Sequence, residues 1–84
     1  MTEVQFDDTL DTKGLNCPMP LVKARKRIGE IEPGQILRIL STDRGSIKDF
    51  QGWVKIANNV ELVGQETETE DDAKIYVHFI QRTS

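Results

Sequence analysis

Pro18 and Pro20 place the strongest constraint on what this chain can fold into. A proline inside a helix removes a backbone hydrogen bond and clashes with the preceding turn, at a cost of about 3 kcal/mol or more. In the first helical turn it costs little, because the N–H groups there have no partners. Two prolines one residue apart therefore mark a helix start. Beyond them, Leu21, Ala24, Ile28 and Ile31 fall on one face of an amphipathic helix, with Val22 at its border. Lys23, Lys26 and Arg27 fall on the opposite side. Helical spacing turns Arg25 toward the apolar face, where its stem can pack while its head reaches water. Pro33-Gly34 is the expected stop.

The remaining segments read as further elements of an α/β fold. Val4 to Leu10 alternates loosely, with Val4, Phe6 and Leu10 apolar, and is expected to form the first strand. Gly14 then marks a turn. Gln35 to Thr42 contains Ile36, Leu37, Ile39 and Leu40 and reads as a buried strand. Ser46 with Asp49 three residues later resembles a helix N-cap followed by an acid in the first turn. Ile47, Phe50, Trp53, Val54 and Ala57 give that second helix its spacing, which places Phe50 and Trp53 in the core, and Asn58-Asn59 ends it. Val60 to Thr69 is a third strand and Glu70-Asp71-Asp72 a turn. Ala73 to Gln81 alternates most clearly, with Ile75, Val77 and Phe79 on one face and Tyr76, His78 and Ile80 on the other. His78 is thereby expected on the exposed sheet face, away from any role as a base for Cys17.

The order β-α-β-α-β-β fits a two-layer α/β sandwich, with both helices on one face of a four-stranded mixed sheet and the other face partly exposed. At 84 residues the chain is expected to be one domain, residues 1–84. If the first two strands are parallel, their C-terminal ends share an edge, where open α/β sheets usually carry their sites. Cys17 and the Asp43-Arg44 loop would meet there.

Charge and composition exclude several function classes. No apolar run approaches the roughly 20 residues needed to span a bilayer, and the N-terminal stretch has no secretory pattern. A cytoplasmic location follows by default. One cysteine excludes an internal disulfide, a Cys-x-x-Cys pair and a multi-thiolate zinc site within the chain. His78 is the one histidine, and no carboxylate cluster has metal-ligand spacing, so no metal or other cofactor is expected. The net charge of −3 argues against direct nucleic-acid binding. Within that acidic balance, residues 13–27 carry Lys13, Lys23, Arg25, Lys26 and Arg27 and no acid. This block is either a docking face for an acidic partner or a solvated helix face.

The chemistry resides in Gly14-Leu15-Asn16-Cys17-Pro18-Met19-Pro20. The residue before a proline is disfavoured in the helical region, so Cys17 is expected just outside the helix, at or beside its N-cap. The positive end of the helix dipole favours an anion there and is one of the settings that lower a cysteine pKa. Lys13, Lys23 and Arg44 are candidates to add to that field or to dock a partner. The competing reading is a buried cysteine acting as a small hydrophobe.

Asp11-Thr12-Lys13-Gly14-Leu15-Asn16-Cys17-Pro18-Met19-Pro20 resembles the signature of the TusA family, also called SirA-like proteins. The resemblance extends to chain length, element order, Pro33-Gly34 before the second strand and Thr42-Asp43 after it. It implies a fold similar to the C-terminal domain of translation initiation factor three. It also implies a sulfur-relay protein: Cys17 accepts sulfane sulfur as a persulfide from a cysteine desulfurase or other donor and passes it to an acceptor protein. Pro18 and Pro20 take the place of the motif's structural prolines and Gly14 of its turn. Such a carrier turns over only with partner proteins, in tRNA thiolation, cofactor sulfuration or sulfur oxidation. The alternative reading is a nucleic-acid-binding or regulatory module using the basic helix at 23–27, or an interaction domain with a buried cysteine.

Overall fold

The computed structural model of the protein describes residues 4–16 and 19–84. Its elements are β1 (Asp8–Thr12), α1 (Met19–Ile28), β2 (Ile36–Ser41), α2 (Ser46–Ile56), β3 (Val60–Glu70) and β4 (Ala73–Arg82). They form a two-layer α/β sandwich with sheet order β1-β2-β4-β3. β1 and β2 are parallel, and β4 runs antiparallel to both β2 and β3. Asp71 and Asp72, both at positive φ, close the β3–β4 hairpin in the manner of a two-residue type I′ turn.

Residues directly opposite one another in a sheet share a face, so the register shows what the helices cover. The row Asp8, Leu37, Ile80, Leu62 lies at one end of the helix-facing side. Next comes Leu10, Ile39, His78, Gln65, and then Thr12, Ser41, Tyr76, Thr67. Ala24 and Ile28 of α1, Phe50 of α2 and Ile31 pack on Leu10, Leu37, Ile39 and Ile80, with Leu21, Trp53, Val54 and Ala57 at the margin. The sheet thus grades from apolar to polar toward the C-terminal ends of β1 and β2. Thr12 and Ser41 are fully buried at that polar end.

Several boundaries differ from those expected. The first strand begins at Asp8 rather than Val4. Val4 instead packs with Ile36, Leu40, Ile75, Val77 and Phe79 on the face opposite the helices. Phe6 stacks at 6.3 Å from Phe79 with the Arg38 guanidinium 4.2 Å above its ring. The segment is held by Asp7, whose N–H donates to Ile36 O and whose carboxylate accepts from Ile36 N–H, both at 2.8 Å. This strap explains why Ile75, Val77 and Phe79 are buried on a face expected to be partly open. α1 ends at Ile28, ahead of Pro33-Gly34. Glycine is the least favourable helix residue after proline, and Gly29 opens the turn there. Arg82 pins that turn by donating to the carbonyls of Gly29 and Ile31.

His78 is the largest correction. It lies on the helix face and is fully buried, not exposed. Its Nε2 is 2.9 Å from Ser46 Oγ and its Nδ1 is 3.0 Å from Gln65 Nε2. The Gln65 amide nitrogen also donates to Ile47 O, so Nδ1 must accept and Nε2–H must donate to Ser46. The ring lies 4.5 Å from that of Phe50. Ser46 is accordingly the first residue of α2 and not its cap; Gly45 takes the cap position, without a side-chain cap bond. Alternation separates the two faces of β4 correctly but does not say which one the helices cover, because both are apolar enough to be buried.

Burial pushes the His78 pKa from 6.5 down to about 4, and a protonated Nδ1 would also face the Gln65 donor. The unfolded chain therefore binds the proton first as pH falls, and stability drops between pH 6.5 and about 4. At ~1.4 kcal/mol per pH unit the loss is on the order of 3 kcal/mol. Denaturant unfolding across this window should show that slope in the native chain and a flatter one in His78→Gln. Equal slopes would assign the pH dependence to other groups.

Candidate functional site

The expected site lies where β1 and β2 end. Cys17 and Pro18, its central pair, lie outside the described residues. The described residues on either side of them form a frame. Lys13 N–H donates to Asp11 Oδ1 at 2.9 Å, and Leu15 N–H donates to Thr12 O at 3.1 Å. Asp11 thus orients the turn leaving β1. Gly14 takes φ +86°, a conformation that L side chains rarely adopt, so its role is conformational: a Cβ there would meet nothing within 4 Å. Met19 N–H donates to Asn16 O at 2.9 Å, closing the chain on either side of residues 17 and 18. Pro20 is buried in the first turn of α1, in keeping with a structural proline. That turn contains no acid, so the positive end of the helix dipole is uncompensated from within α1.

The loop after β2 meets this frame. Gly14 N–H donates to Thr42 Oγ1 at 2.9 Å, and Thr12 Oγ1 donates to Leu40 O at 2.6 Å. Asp43 N–H donates to Ser41 Oγ, Gly45 N–H to Asp43 Oδ1, and Ser46 N–H to Asp43 O. The turn at Gly14 is therefore joined to the loop after β2, while the expected meeting of Cys17 with the Asp43-Arg44 loop falls on a residue outside the described ones.

The candidate cations are not gathered at this edge. Lys13 makes a marginal ion pair with Asp11 at 3.9 Å. Arg44 is exposed in the loop that carries Thr42, where it lines a shallow hollow with Gly45, Ile47 and Lys48. Lys23 faces away from the α1–α2 seam, lining a small hollow with Leu10, Lys26, Arg27 and Glu30. Arg27 is committed to the fold. Its guanidinium lies 2.8 Å from Asp8 on β1 and 3.5 Å from Glu30. The hydrogen bond from Arg27 holds the Asp8 carboxyl below its ordinary pKa. That leaves Lys23 and Lys26 as exposed charges of the 23–27 block on this side, with Arg25 exposed on the side of α2.

One feature went unread in the sequence. Between α1 and α2 runs a groove of about 480 Å³ lined by Leu21, Arg25, Lys48, Trp53, Ile56 and neighbours. Arg25 lies beside Leu21 there, as its spacing implied. Ile56 is 82% exposed. Its signal was its position off the apolar spacing that places Phe50, Trp53 and Ala57. Among the described residues, no three His, Cys, Asp or Glu side chains converge as a metal site, and no helix is long and apolar enough to cross a membrane.

Comparison with known proteins adds the lineage. The family model described as sulfurtransferase TusA matches residues 8–82. A candidate sulfur carrier protein of Halobacterium salinarum is 45% identical over 81 residues, covering 96% of this chain and 95% of its own. The sulfur carrier protein TusA of Pseudomonas entomophila is 33% identical over 82 residues, covering 98% of this chain and 96% of its own. The crystal structure of a SirA-like protein from Desulfitobacterium hafniense shares the fold, with a TM-score of 0.64 at 24% identity over 88% of this chain and 96% of that one. The chain belongs to the TusA family of sulfur carriers.

Proposed function

We propose that this chain, acting as a single cytoplasmic domain, carries sulfane sulfur as a persulfide on Cys17 between a donor and an acceptor protein. The observation that supports the reading is the frame on either side of Cys17 in sequence: the Gly14 turn, fastened through Thr42 to the end of β2, and the start of α1 at Met19. The Cys17 thiolate attacks the outer sulfur of a persulfide on the donor. A new S–S bond forms at Cys17, the donor's S–S bond breaks, and the donor cysteine leaves as a thiolate. Release to the acceptor repeats the step with Cys17 as leaving group. The oxidation level is conserved, so no external oxidant or reductant enters either step. A low thiol pKa suits both steps, since it supplies the attacking anion and makes a better leaving group.

A domain of 84 residues leaves little room for a deep small-molecule pocket, which favours transfer between proteins. Lys23 and Lys26 then serve to steer an acidic partner surface, a role in which exposed charges act mainly on encounter.

Intact mass after incubation with a cysteine desulfurase and free cysteine tests the central claim. The native chain should gain one sulfur atom, reversibly with reductant, and Cys17→Ser should gain none. A Cys17 that neither gains sulfur nor reacts with alkylating agents would overturn the reading in favour of a structural cysteine. Steering has its own test. The double variant Lys23→Glu/Lys26→Glu should raise the KM for an acidic-surfaced donor about tenfold and flatten its salt dependence, with the maximal rate preserved. An unchanged KM would make the 23–27 block a solvated face.

A further inference from the structure

We infer that Thr42 is a positioning residue for the sulfur-bearing loop, an inference that rests on the reading of Cys17 as the carrier. Thr42 is exposed, so its side chain has no packing role in the core. Its hydroxyl oxygen accepts the Gly14 N–H at 2.9 Å across 28 residues of sequence. Leu15 N–H bonds back to Thr12 and Lys13 N–H to Asp11, both local to the strand just left. The Thr42 contact is thus the one described hydrogen bond of residues 13–15 that reaches another part of the fold.

The ground on which Thr42 stands is fixed. Ser41 is fully buried and its hydroxyl accepts from Asp43 N–H at 3.1 Å. The Asp43 carboxylate accepts from Gly45 N–H at 3.0 Å, and Asp43 O accepts from Ser46 N–H at 3.0 Å. Ser46 is buried and bonded to His78, which is bonded in turn to Gln65 on β3. Hydrogen bonds from the buried centre of the sheet therefore brace the start of α2 and the two residues that flank Thr42 in sequence, and the Thr42 hydroxyl extends from that braced loop to Gly14. Gly14 needs such a partner, because the backbone freedom that lets glycine adopt φ +86° also leaves it the least restrained residue of the turn.

Sulfur transfer makes this restraint consequential. The attacking thiolate must approach along the S–S bond that breaks, and misplacement of a reacting atom by about 1 Å can cost orders of magnitude in rate. A latch on the loop limits that error. It restrains the turn at 13–15 that leads toward α1, whose N-terminal dipole favours an anion.

Thr42→Val keeps the β-branched shape and deletes the acceptor; Thr42→Ser keeps the acceptor. Gly14 is exposed, so water replaces the lost bond and thermal stability should change little in either variant. For Thr42→Val, the maximal rate of sulfur transfer from desulfurase-loaded protein to an acceptor thiol should fall about threefold to tenfold, with KM unchanged. Its endpoint loading by mass should equal that of the native chain. Thr42→Ser should restore the rate. The pH midpoint of Cys17 alkylation, which needs no partner, should rise in Thr42→Val and not in Thr42→Ser. Variants that match the native chain in both rate and midpoint, or that lose both alike with Val and Ser, overturn the role of the hydroxyl. Failure of the native chain to load sulfur would overturn the carrier reading alone, and the alkylation profile would still decide the role of Thr42.

Discussion

The parallel pairing of β1 with β2 is the constraint on which the rest of this structure depends. Two parallel neighbours joined through α1 must finish at the same edge of the sheet. That edge receives both loops that matter, the one leaving β1 toward Cys17 and the one leaving β2 toward α2. The register then aligns Thr12 with Ser41, and the two loops are joined just beyond by the Gly14–Thr42 bond. β4 runs the other way and brings Tyr76 alongside Ser41, extending the polar row beneath the site. A shift of one residue in any of these pairings would send the row to the opposite face.

The polar row and the buried histidine have a common consequence. Buried polar groups are costly unless bonded, and fully bonded ones specify a unique arrangement. Ser46, His78 and Gln65 tie the start of α2 to two strands at once, and Thr12 binds β1 to the Leu40 carbonyl. Apolar packing at the other end of the sheet supplies most of the burial. The bonded end supplies direction and register. A sulfur carrier, which works with donor and acceptor proteins, depends on that second property.

The helix layer and the far face divide other tasks. Arg27, read from the sequence as one of several outward charges, is turned inward to Asp8 and joins α1 to β1. Exposed pairs of this kind contribute on the order of 1 kcal/mol or less, so its effect is mainly on the seating of α1. On the other face, the strap from Val4 to Asp7 closes a second, smaller core over β4. This closure fits a sheet whose β4 residues are apolar on both sides.

The sequence by itself determined the element order, the second helix, the last three strands to within a residue or so, and the start of α1. Each of these follows from local chemistry: proline geometry, helical spacing in Ile47 to Ala57, alternation in Ala73 to Gln81. Gly14 as a turn and Pro20 at the helix start were legible for the same reason, since each acts on the backbone where it stands. Tertiary structure decided what depends on partners distant in sequence. The apolar residues Val4 and Phe6 read as a strand, yet they pack as a strap, because β2 offers its edge to Asp8–Thr12 instead. His78 read as exposed, yet it is buried, because alternation divides a strand into two faces without saying which one the helices cover. Ser46 read as a cap, yet its hydroxyl meets His78, 32 residues away. The partner of Gly14, 28 residues distant, was equally beyond local reading, because a hydrogen bond across two loops exists only once the strands beneath them have paired.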